Sequence, residues 1–157
     1  MESTKKELLQ ELDEAFEKLK KDGLSVSRED IEKYFYLSDA VLSAGFVAMN
    51  LERQISSRIM EYYNNWHNYL NNLLSPNPSF MAGQTEFKLF SSEEDRKEIW
   101  RLIEVSMAFS SQNSLNGLNN DKKLSINFIE ESTKVWREDF SQFLDKILKR
   151  VNDAWKK

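Results

Sequence analysis

One stretch limits the possible folds more than any other. Residues 38–74, SDAVLSAGFVAMNLERQISSRIMEYYNNWHNYLNNLL, hold an apolar arc in helical phase from end to end. At 100° per residue Val41, Ala48, Ile55, Ile59, Tyr63, Trp66, Leu70 and Leu73 share one side, and Asn50, Ser57, Glu61, Asn64, Asn68 and Asn72 the other. The alternating three-four spacing Val41, Gly45, Ala48, Glu52, Ile55, Ile59, Tyr62, Trp66 keeps the pattern at a period of 3.5 as well. With only four Gly and two Pro among 157 residues, such a stretch predicts a few long helices joined by few turns. Glu52 falls at the centre of the apolar arc, the one local inconsistency in it.

Four further helices, one of them short, emerge from periodicity and stop signals. Leu8, Leu12, Ala15, Phe16 and Leu19 line one face of a helix over about 4–22, which Gly23 ends. Ser27 with Asp30 resembles a capping box for a short helix over about 28–36. Run on through 74 without interruption, that helix would be ~70 Å long, about twice the width of a domain this size, so a break is predicted near Leu37 with Ser38 or Asp39 as the new N-cap. Residues 75–92 read as a long connection lying over one end of the bundle, ended by Ser92 as N-cap with Asp95. Residues 93–114 make the third major helix, with Ile99, Trp100, Leu102, Ile103, Met107 and Phe109 toward the core. After a loop, Ser125 is expected to cap a last helix over about 126–156 that turns Ile129, Trp136, Phe140, Phe143, Leu144, Ile147 and Val151 inward. The fold class is therefore all-α: a single-domain up-and-down helical bundle spanning 1–157, with four main helices, one short helix and no sheet. Gly45 and Ala48 are read as the place where another helix approaches closely.

Composition removes whole classes of function. The net charge of −4, with lysines and glutamates mixed along every segment, leaves no basic footprint for nucleic acid. The absence of cysteine removes disulfides, thiolate nucleophiles and cysteine-based metal sites. The acidic, helical start is not expected to act as a signal peptide, and the longest apolar run is far short of the ~20 residues that span a bilayer. A soluble, cytoplasmic protein is expected. No catalytic, phosphate-binding or dinucleotide-binding motif occurs, and the single histidine, His67, has no carboxylate at helical ligand spacing, so no cofactor and no metal are expected. Glu11 with Glu14 and Glu29 with Glu32 repeat an acidic spacing that arises freely on helices this charged. The 13 asparagines include a deamidation-prone Asn116-Gly117 pair.

Counting depth from the turns of antiparallel neighbours places Glu52 level with the end of the third helix, where Ser110 and Asn113 occupy an inner face that should be aliphatic. A polar cluster of Glu52, Ser56, Ser106, Ser110 and Asn113, with Thr133 beside it, is expected inside the bundle. Arg53, on the edge of the same turn, is expected to reach Glu104 or Asp139. A few convergent polar groups in an apolar cavity form a small-molecule or metal-binding site, and the same groups form a satisfied buried network. Four Trp, five Tyr and ten Phe exceed what a minimal bundle needs, and the apolar stretch around Phe46 suits a dimer interface as well as a core. The sequence thus favours action by protein-protein association, as a homo-oligomer or with a partner, and not catalysis. The alternative is a ligand-binding bundle, or an enzyme, built on the Glu52 cluster.

Overall fold

In the computed structural model, which describes residues 2–157, backbone chemistry at two residues cuts the long apolar stretch and its short forerunner into three helices. Helix α1 (Glu2–Lys21) precedes α2 (Arg28–Phe35), which Ser27 caps by accepting the Asp30 N–H at 3.1 Å. Tyr36, at φ 50°, ends α2 and begins α3 (Leu37–Ala44) in one left-handed residue. The break expected near Leu37 is thus present. Its cap is supplied by Glu32, whose carboxylate accepts both the N–H and the hydroxyl of Ser38.

The second cut was not expected. Gly45, at φ 83°, closes α3 by donating its N–H to Val41 O at 2.8 Å, and a turn leads from it to α4 (Leu51–Leu74). Gln54 holds that turn, accepting the Ala48 N–H and donating to Phe46 O. Residues 38–74 are therefore not one helix. Val41 and Ile55 stay in phase because α3 and α4 bury their faces in the same core, and the turn between them happens to preserve the period. Nor is Gly45 a point of close helix approach: a Cβ built there meets nothing within 4 Å. Its value is the left-handed backbone, which costs roughly 1–2 kcal/mol for an L-residue. Gly45→Ala is accordingly expected to lower stability by about 1 kcal/mol in urea unfolding with an unchanged m-value. A neutral result would show that the α3–α4 turn does not hold this conformation.

The remaining helices extend further than their periodicity suggests. Within 75–92, read as a connection, α5 (Met81–Leu89) forms and seats Gly83 in the protein interior. Ser92 caps α6 (Glu93–Asn119) as expected, but the helix runs on past 114 to a left-handed Asn120. Asp121, not Ser125, caps α7 (Lys122–Val135), which passes through a π-helical turn (Trp136–Phe140) into α8 (Ser141–Lys156) without leaving the helical rod. The all-α class holds, with no strand among the described residues. None of these helices is long and apolar enough to cross a membrane.

Helix α4 is the axis of the assembly. It runs antiparallel to α6, as the Arg53–Asn113 and His67–Ser106 pairs fix, and alongside α7, where the Tyr63 hydroxyl donates to Ser132 O at 2.6 Å. The π-turn serves this packing. Ser132, Trp136, Phe140 and Leu144 are all buried, and a row of fours drifts around a regular helix by 40° per step. The wider turn absorbs the drift, so that Trp136 and Phe140 stack at 5.4 Å and both meet the Tyr63 ring at about 5 Å. Outside this core, Arg101 ties α6 to the turn through a two-pronged bond to Asp139, and that bond holds the Asp139 carboxyl below its ordinary range.

Candidate functional site

The residues expected to converge inside the bundle do not share one pocket. Glu52 and Arg53 are adjacent and therefore 100° apart around α4, which decides their partners. It is Arg53 that reaches α6, donating to Asn113 Oδ1 at 3.0 Å and to Asn113 O at 3.2 Å, with Ser125 Oγ at 3.5 Å. It reaches neither Glu104 nor Asp139, whose partner is Arg101. Ser56 is fully buried, yet its hydroxyl donates within its own helix to Glu52 O. Ser106 donates to Ile103 O and lies 2.8 Å from His67 Nδ1, so the ring nitrogen is the donor in that pair. Ser110 is half-buried. Thr133 is 1% exposed, with no partner for its hydroxyl among the described residues, and it lies beside a groove lined by Ser25, Asp30 and Arg137. Asn113, Ser125 and Arg53 thus form one thread, and His67 with Ser106 another.

Glu52 turns the other way, toward α1. It is 5% exposed and lines a cavity of ≈ 350 Å³ between α1 and the α3–α4 turn, together with Glu11, Glu14, Lys18 and Lys122. Leu19, Val47 and Leu51 supply its apolar wall. Lys122 is bound to Asp22 at 2.6 Å, which raises its ammonium pKa, with Glu52 adding to the shift through space. Among the described residues no group of three or more His, Cys, Asp or Glu is arranged to hold a metal ion.

A second feature is a surface. Trp100 and Met107, expected in the core, are more than half exposed, as are Leu115 and Leu118. Trp100, Met107, Ser111 and Leu118 stand at i, i+7, i+11 and i+18, one stripe along α6. Ser106 faces α4 and Phe109 packs on Phe128 of α7, so this stripe lies on the far side of the α4 seam from α7. Across the seam α4 presents Asn64, Asn68 and Asn71, all exposed. The signal for this face in the sequence is missing charge. In a chain with 31% charged residues, no Asp, Glu, Lys or Arg occurs over 62–85 or over 105–120, and these two spans supply most of the surface. Phe46 and Met49, on the α3–α4 turn, are also exposed, Phe46 beside Arg53 and Ser57 and Met49 on the side of α1. No family model matches the chain, and comparison with curated proteins and with solved structures likewise gave no match.

Proposed function

We propose that the protein acts by association with a second copy of itself through the uncharged face of α4 and α6. The observation that carries this reading is the face itself: exposed Trp100 and Met107 on α6 beside exposed Asn64, Asn68 and Asn71 on α4, with Glu104 the one charged residue of α6 from 102 to 118. Two copies of a chain of net charge −4 repel, and least where neither carries charge. An asparagine amide is both donor and acceptor, so a row of them is self-complementary about a two-fold axis in a way that a row of carboxylates or ammonium groups is not. Trp and Met are the side chains enriched at the centres of interfaces.

Sedimentation equilibrium from roughly 10 µM to 1 mM chain is expected to show monomer and dimer in exchange. Since the face is almost uncharged, the dimer should persist from low to about 0.5 M salt, where screening would abolish a charge-driven contact. Trp100→Glu is expected to weaken it about thirtyfold, whereas Leu124→Ser, on an exposed residue of α7 on the opposite side of α6, leaves it unchanged. A strict monomer throughout that range, or equal effects of the two substitutions, overturns the reading.

A further inference from the structure

The cavity between α1 and the α3–α4 turn has an unusual floor. Glu52 is almost fully buried, yet among the described residues its carboxylate accepts no hydrogen bond and enters no ion pair; the Ser56 hydroxyl goes to its backbone carbonyl instead. Its oxygens are not sealed in the core, for among the described residues the enclosed side-chain atoms without a partner are Arg28 Nε, Arg96 Nε and Thr133 Oγ1; the Glu52 oxygens open onto the cavity, where a positive or hydrogen-donating group satisfies them best. Its near cation is committed elsewhere, because Lys122 is held by Asp22 at 2.6 Å. Among the described residues Lys18 is then the only uncommitted cation on a wall that also carries Glu11 and Glu14. The cavity therefore has an acidic surplus, with its least exposed acidic residue, Glu52, deepest.

The occupant that fits is narrowed by the other residues lining the space. A bare divalent ion would need several ligands around it, and no such cluster occurs among the described residues. The cavity of ≈ 350 Å³ is the size of a small organic molecule, and Leu19, Val47 and Leu51 give it an apolar side. We infer that this cavity binds a small primary alkylamine, its ammonium paired with Glu52 and its alkyl stem against Leu19 and Leu51. Glu11 and Glu14, three residues apart on the exposed side of α1, stand at the mouth, where they suit a second ammonium at the far end of the stem. The site does not depend on self-association, since α1 contributes nothing to the face of α4 and α6.

The test uses 1,5-diaminopentane as probe and amide chemical shifts of the isotope-labelled protein as readout. Saturable shifts are expected at Ala15, Met49, Leu51 and Glu52, with n-pentanol and magnesium chloride at the same concentrations producing none. Glu52→Gln is expected to weaken binding about tenfold or more, because the charge-assisted bond is lost. Lys18→Gln, on an exposed residue that leaves the fold intact, should tighten binding roughly threefold by removing a cation that competes with the amine on this wall. The inference is overturned if no saturable shift occurs below about 10 mM diamine. It is overturned equally by unchanged affinity in Glu52→Gln, by weaker binding in Lys18→Gln, or by a matching response to pentanol or magnesium.

Discussion

Tyr63→Ala is expected to destabilise the protein by about 4 kcal/mol, and Tyr63→Phe by only about 1 kcal/mol. Tyr63 is fully buried at the meeting of α4, α6 and the π-turn, with ring centroids of Phe109, Trp136 and Phe140 within about 5 Å. Truncation removes the ring around which three others are arranged, and a rigid helix seam cannot collapse into the space. The hydroxyl matters less, although its 2.6 Å bond to Ser132 O is short. That carbonyl also accepts the Trp136 N–H, so the phenylalanine variant leaves no buried acceptor unpaired. Burial pushes the phenol pKa well above its ordinary value, so the hydroxyl keeps its proton, and the bond, at neutral pH. Urea unfolding of both variants is the check. For a chain of this size the alanine variant should also melt roughly 10 °C lower. Equal losses in the two variants would mean that the hydrogen bond, and not the ring, holds the seam.

The second large effect concerns a single atom. Asn116→Asp is expected to cost about 3 kcal/mol at pH 7, because an amide donor becomes a buried anion. Asn116 is fully buried; its Nδ2 donates to Leu124 O at 3.2 Å and its Oδ1 accepts Gln112 Nε2 at 2.7 Å. The charged oxygen of the variant would face a carbonyl. The new carboxyl should therefore take a folded-state pKa above the unfolded value of about 3.9. Its penalty is then complete above that raised folded pKa and vanishes as pH falls below about 4, where a protonated carboxyl again donates to Leu124 O. Stability of variant and parent should converge between pH 7 and pH 4, and a pH-independent gap would refute the account. The Asn116-Gly117 pair, chemically fragile in an unfolded chain, is thus protected here by helix and burial. Its glycine has a steric role besides: a Cβ there would come 2.6 Å from Arg53 Nη2, in the bond between α4 and α6.

How much of this is legible in the sequence can be traced residue by residue. The buried stripes of α1 and of the last rod are legible, because Leu12, Phe16, Leu144, Ile147 and Val151 obey a helical period that no other structure shares. The break at Gly45 is hidden by the same logic, since a short turn can preserve phase by accident. Counting depth gives the right level for the end of α6 and the wrong neighbour: Arg53 meets Asn113, while Glu52, one residue earlier, faces α1. Sequence supplies axial position along a helix far better than it supplies which of several packed neighbours a face will meet. Trp100 and Met107 escape such a reading because hydrophobicity alone assigns a residue to the interior. The absence of charge from Val105 to Asn120 distinguishes the face at Met107 from a core, with Trp100, beside Lys97 and Glu104, at its charged rim.

The π-turn bears on how this chain can change length. A wider turn is where a regular helix has taken in one additional residue without rotating the later residues out of register. Losing one residue among the exposed positions at Arg137 and Glu138 would return the rod to ordinary winding and leave Leu144, Ile147 and Val151 pointing where they point now. The same deletion a few residues later would swing everything beyond it by about 100° and turn that stripe to water. The rod between Lys122 and Lys156 therefore contains one joint at which its ancestry could have gained or shed a residue silently, and it lies directly against Tyr63.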